Sequence, residues 1–168
     1  MTETAWIAQG LGFISMAVGW WANGRSCDRQ LLRGNMLAAS LTAIHLGLLG
    51  SVLGMTNQWV NAGRFAIAQR TRSWLMAGGF ALLSLAQGLA FAQHWSEWCV
   101  VFAAMISSAL VFRSQGTQLR AGLILCNLLN LTLSITLLSW SGIAYQVMTV
   151  LMLTRVLWQQ RVQPAVPA

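Results

Sequence analysis

Asn57, Asn61 and Arg64 recur at i, i+4 and i+7 in the stretch NQWVNAGRFAIAQR, so on a helix two amides and a guanidinium share one face. Amides both donate and accept hydrogen bonds, whereas a guanidinium only donates. Such a stripe can bind a polar solute with Asn61 at its centre, or it can tie one helix to another while Arg64 snorkels toward phosphates. A second stripe, Asn127, Asn130 and Ser134, has helical spacing too. Thr42, His45, Tyr145 and Thr149 are further groups able to contact a solute, with interhelical packing bonds as the alternative use of each. The frame RFAIAQR at 64–70 returns as RVLWQQR at 155–161, which pairs Arg155 with Arg64 as gate or anchor residues.

Enzymatic chemistry finds little material here. The carboxylates are Glu3, Asp28 and Glu97, expected in termini or loops, so no paired acid and base forms among the helices. His45 has no acidic neighbour on a helix for proton relay. Cys27, Cys99 and Cys126 are expected at different depths, which suits neither a metal cluster nor a disulfide. The expectation is a non-enzyme without metal or cofactor.

The elements that must position these groups follow from composition. With 57% hydrophobic and 8% charged among 168 residues, the chain cannot cover itself with a polar surface and reads as an integral membrane protein whose first partner is the lipid bilayer. The net charge of +7 would suggest nucleic acid in another composition. Here basic residues mark the cytoplasmic side, and no nucleic-acid partner is expected. MTETAW has no basic residue ahead of the first apolar run, unlike a cleaved signal peptide, so the first helix is expected to remain.

Apolar runs long enough to span, about 20 residues, occupy 4–22, 34–55, 73–93, 121–140 and 142–159, with a shorter run at 98–112 and the polar one at 57–70. Counting seven spans puts Arg25, Arg29, Arg33, Arg70, Arg72, Arg113, Arg120 and Arg161, read as loop residues, on one side, with Glu3 and Glu97 on the other. Six spans would divide the arginines between compartments. The positive-inside rule therefore favours seven, with the N-terminus periplasmic and the C-terminus cytoplasmic. If Arg70 marks the interface, Arg64 lies about 9 Å and Asn61 about 13 Å deeper. Tryptophans such as Trp59, Trp74, Trp95 and Trp158 fall near span ends, as an interfacial belt requires. Gly50-x3-Gly54 and Gly78-Gly79 permit close helix contacts, within the monomer or in a homo-oligomer.

An internal repeat organises the spans. FISM at 13–16 returns as FAAM at 102–105, Arg25-Ser26 as Arg113-Ser114, Gln30-Leu31 as Gln118-Leu119, and the arginine frame at 64 returns at 155. The reading is one membrane domain over 1–168: a three-helix repeat at 4–70, a linking helix at 73–93, a second repeat at 97–161, and a short cytoplasmic tail at 162–168. Two such units keep one orientation only if an odd helix joins them, and a site for a small, neutral or weakly polar solute then falls between them near the midplane, as in an alternating-access carrier. The alternative is a non-transporting assembly or regulatory subunit whose polar stripes are packing contacts.

AQGLGF near the start, HLGLLG at 45–50 and NAGRFAIAQRTRS at 61–73 resemble the YgjV family of bacterial inner-membrane proteins, most closely over residues 5–75. The resemblance implies a multi-pass protein of the bacterial inner membrane. More distantly, the three-one-three plan resembles the SWEET and PQ-loop carriers, in which an asparagine on the third helix of each repeat faces the substrate. Asn61 in VNAG is similar in placement. The departures are that both prolines, Pro164 and Pro167, lie in the tail, and that Met152 stands where the second asparagine would be.

Overall fold

Hydropathy would start the second helix at Gly34, after the charged run DRQLLR at 28–33, but a helix needs only backbone bonds and a favourable first turn. Asp28 supplies that turn with a carboxylate near the helix N-terminus, where the macrodipole favours negative charge. The Leu31 N–H already bonds the Cys27 carbonyl at 3.0 Å. The second helix accordingly runs Asp28–Leu48, about a turn and a half earlier than the apolar run at 34–55.

The computed structural model describes residues 3–48, 52–92, 94–136 and 140–162. Among them are seven α-helices and no strand: α1 (Glu3–Asn23), α2 (Asp28–Leu48), α3 (Val52–Ala68), α4 (Trp74–Phe91), α5 (Trp95–Arg113), α6 (Gly116–Thr136) and α7 (Trp140–Val162). The count agrees with the sequence reading, and the bounds of α2, α3 and α6 all shift toward the N-terminus. One correction follows. Arg29, Arg33, Arg113, Arg120 and Arg161 belong to helices α2, α5, α6 and α7 rather than loops, and Glu3, Asp28 and Glu97 open helices α1, α2 and α5. Gly50 and the tail beyond Val162 lie outside the described residues.

By length and composition α4, α5 and α6 can each cross a membrane. They include α5, whose apolar run looked short because its ends are polar; as a helix it has 19 residues, about 28 Å, close to a hydrocarbon core of about 30 Å.

The helices form two compact units, Met1–Thr71 and Arg72–Ala168. In the first, α2 packs against both α1 and α3. A Cβ added to Gly34 would collide with that of Ala22 and stand 3.2 Å from its Cα, so only glycine lets the α1 and α2 backbones approach this closely. In the second unit α4 packs on α5, α5 on α6 and α6 on α7. There Gly122 meets the Leu110 side chain in the same manner, and the Phe80 and Phe112 rings stack at 5.8 Å between α4 and α5. Gly78 and Gly79 make no comparable contact: a Cβ at either meets nothing within 4 Å.

Candidate functional site

On α3, Asn61 and Arg64 lie one turn apart, and the Arg64 Nη2 donates to the Asn61 Oδ1 at 2.6 Å. The Asn61 Nδ2 in turn donates to the Gln58 Oε1 at 3.3 Å. Arg64 is buried at 6% exposure, with its Cζ 5.6 Å from the Phe65 ring. The three polar side chains thus form a ladder along one helix, in which Asn61 orients the guanidinium. Arg64 stands four residues before the end of α3 at Ala68, about 6 Å along the axis. Arg155 on α7 is exposed, so the two arginines of the repeated frame have different surroundings.

Thr42 and His45 are engaged inside the first unit. The Ser15 and Thr42 hydroxyls stand 2.5 Å apart, and both reach the Ala38 carbonyl, at 2.8 and 2.9 Å. The His45 Nδ1 lies 2.6 Å from the Ala8 carbonyl. A carbonyl can only accept, so Nδ1 carries the proton. A Cβ on Gly12 would come within 3.1 Å of this ring, so glycine makes room for the imidazole between α1 and α2. Asn23 and Asn35, which the sequence reading passed over, complete the same seam: Asn35 Nδ2 donates to Asn23 Oδ1 at 3.2 Å, and Asn23 Nδ2 to the Gly19 carbonyl at 2.8 Å.

The second unit carries the other polar groups. Asn127 Nδ2 donates to the Leu123 carbonyl at 2.7 Å, and Ser134 Oγ to the Asn130 carbonyl at 3.3 Å, so both bond to their own helix. Asn127 and Asn130 are half-buried. On α7, which packs on α6, the Tyr145 side chain approaches that of Thr149, which is 2% exposed.

Arg120 is a further polar residue of the second unit that the sequence pattern does not single out. It is fully buried, and its Nη1 donates to the Gly116 carbonyl at 2.9 Å across the first turn of α6, where Gly116 has φ +54°. Read as a loop residue, it bears only on topology. A signal existed in the repeat: a step of 88 residues, the one linking Gln30-Leu31 to Gln118-Leu119, aligns Arg120 with Leu32, which is also buried.

Among the described residues, helices without strands, three of them long and apolar enough to cross a membrane, and polar side chains held between helices define the class, a helical integral membrane protein. This chain belongs to the Imp-YgjV family of bacterial inner membrane proteins, whose pattern matches residues 6–163. It is 30% identical over 116 residues to inner membrane protein YgjV of Escherichia coli (strain K12), a match covering 68% of this chain and 63% of that protein. The matched region therefore spans less than two thirds of the curated relative. No solved structure matches the chain.

Proposed function

We propose that this chain carries a small, neutral or weakly polar solute across the bacterial inner membrane by alternating access, with all seven helices spanning. The observation that carries the reading is a helix contact that recurs along the chain. Gly34 meets Ala22 and Gly122 meets Leu110, and each partner of the second contact lies 88 residues beyond its counterpart. Buried positions recur at the same step: Ala8 and Ser96, Ser15 and Ala103, Leu31 and Leu119, Ala38 and Cys126. These recurrences support two parallel repeats, 4–70 and 97–161, with α4 linking them, a plan known among carriers.

With seven spans, Arg25, Arg70, Arg72, Arg113 and the α2 and α6 arginines all mark the cytoplasmic side, which leaves the N-terminus periplasmic. The solute-facing groups in this reading are Asn61, Asn127, Asn130, Tyr145 and Thr149, with Arg64 and Arg155 toward the inner end of the path. Thr42 and His45, bonded between α1 and α2, serve as packing. Those same bonds favour the second reading, a non-transporting subunit in which every polar stripe is glue. Purified protein in liposomes, assayed for uptake of sugars, amino acids and vitamins, separates the two. Saturable flux of a neutral compound that Asn130→Leu abolishes supports the carrier; absence of flux and binding across the panel favours the subunit.

A further inference from the structure

Positive charge collects in the second unit where α4 begins, α5 ends and α6 starts, and the proposed solute path includes none of it. Arg113, the last residue of α5, donates its Nη1 to the Arg72 carbonyl at 3.3 Å and places its Cζ 4.7 Å from the centre of the Trp74 ring. The Arg72 guanidinium lies against the Gln115 side-chain amide. Both arginines are exposed. Neither has a carboxylate partner among the described residues. Glu97, the acidic residue of this unit, accepts from the His94 N–H at the far end of α5, about 24 Å away along the helix.

The apolar surroundings add a second feature. Trp74 is 64% exposed, and below it the outer face of α4 continues through Leu75, Leu82 and Leu89, at 85%, 66% and 70% exposure. Gly78 and Gly79 leave that face open between them, with no side chain above either. Two guanidinium groups therefore stand at the head of an apolar lane on a helix that can cross the membrane.

We propose that Arg72 and Arg113 hold the phosphodiester of an acidic phospholipid, with its acyl chain lying along the exposed face of α4. Guanidinium forks match phosphate oxygens in paired hydrogen bonds. An anion between two arginines also relieves their mutual repulsion. A zwitterionic lipid brings an ammonium group into the same positive field, and a free phosphate leaves the lane uncovered. An acidic phospholipid satisfies both parts.

The test is native mass spectrometry of the full-length protein released from detergent containing equal amounts of phosphatidylglycerol and phosphatidylcholine. Phosphatidylglycerol should dominate the first bound lipid. Each interfacial arginine contributes about fivefold to anionic-lipid binding, so Arg72→Gln with Arg113→Gln should cut the preference about 30-fold. The paired lysine variants, which keep the charge but lose the forked geometry, should fall between the unmodified protein and the glutamine variant. Equal occupancy by the two lipids in the unmodified protein overturns the proposal, as does full preference in the double glutamine variant. Displacement of the lipid by inorganic phosphate or by soluble glycerophosphoglycerol shows a headgroup-sized anion site and overturns it as well.

Discussion

Replacing Asn61 with leucine, a side chain of similar size, removes the acceptor of the 2.6 Å bond from Arg64 without opening a cavity. A hydrogen bond to a charged group contributes about 1.5–3 kcal/mol in soluble proteins. Between membrane helices the average is about 0.6 and the maximum about 1.7 kcal/mol, because the unfolded state also finds partners. Arg64 is only 6% exposed and its bond is short and charge-assisted, so the upper part of the membrane range applies. The expected loss is about 1.5 kcal/mol, slightly over tenfold in the folded-to-unfolded ratio. A double-mutant cycle isolates the pair: once Arg64→Leu has removed the donor, Asn61→Leu should cost only the long 3.3 Å bond to Gln58, which both arms of the cycle share. Reversible unfolding of the solubilised protein in sodium dodecyl sulfate, followed by circular dichroism, measures all four corners. Additivity within about 0.5 kcal/mol would show that the two residues act independently and would refute the claim that Asn61 orients the guanidinium.

Gly34→Ala should destabilise by about 1–3 kcal/mol and more than Gly122→Ala, because its new methyl meets Ala22 Cβ and backbone whereas Leu110 can turn its side chain away; equal losses in the same unfolding assay would count against this packing. Gly78→Ala meets open space and should be neutral or stabilising by up to about 1 kcal/mol through helix propensity, which thermal denaturation can check. In intact cells with a permeable outer membrane, Cys99 should react with an impermeant thiol reagent faster than Cys27. After solubilisation the order should reverse, since Cys27 is exposed, Cys99 half-buried and Cys126 buried; faster labelling of Cys27 in cells would invert the assigned topology.

Helix number was legible in the sequence because most of the helices carry an apolar run set off from the next by charged or turn residues. Helix ends were less so. A hydropathy window stops at charge, but Asp28 and Arg29 fit the first turn of a helix, and α2 begins there. The same mismatch hid Arg120, whose guanidinium folds back on the Gly116 carbonyl. Spacing showed that Asn61 and Arg64 share a face but not that one holds the other, since a bond of i to i+3 depends on rotamers. For His45 the partner is the backbone of α1, an Ala8 carbonyl that no side-chain pattern announces. The likeness of Arg64 and Arg155 was clear in the sequence, whereas their unlike burial comes from neighbours that the repeated frame does not share.

Whether the polar stripes line a path open alternately to each side can be tested before any solute is known. Asn61→Cys and Asn130→Cys, each introduced singly into a cysteine-free chain in liposomes of uniform orientation, would be exposed to an impermeant thiol reagent from outside and, separately, from the lumen. The carrier account predicts that both positions react from either side, at rates that change together when solute is added. No reaction from either side at both positions would contradict it and leave the stripes as packing.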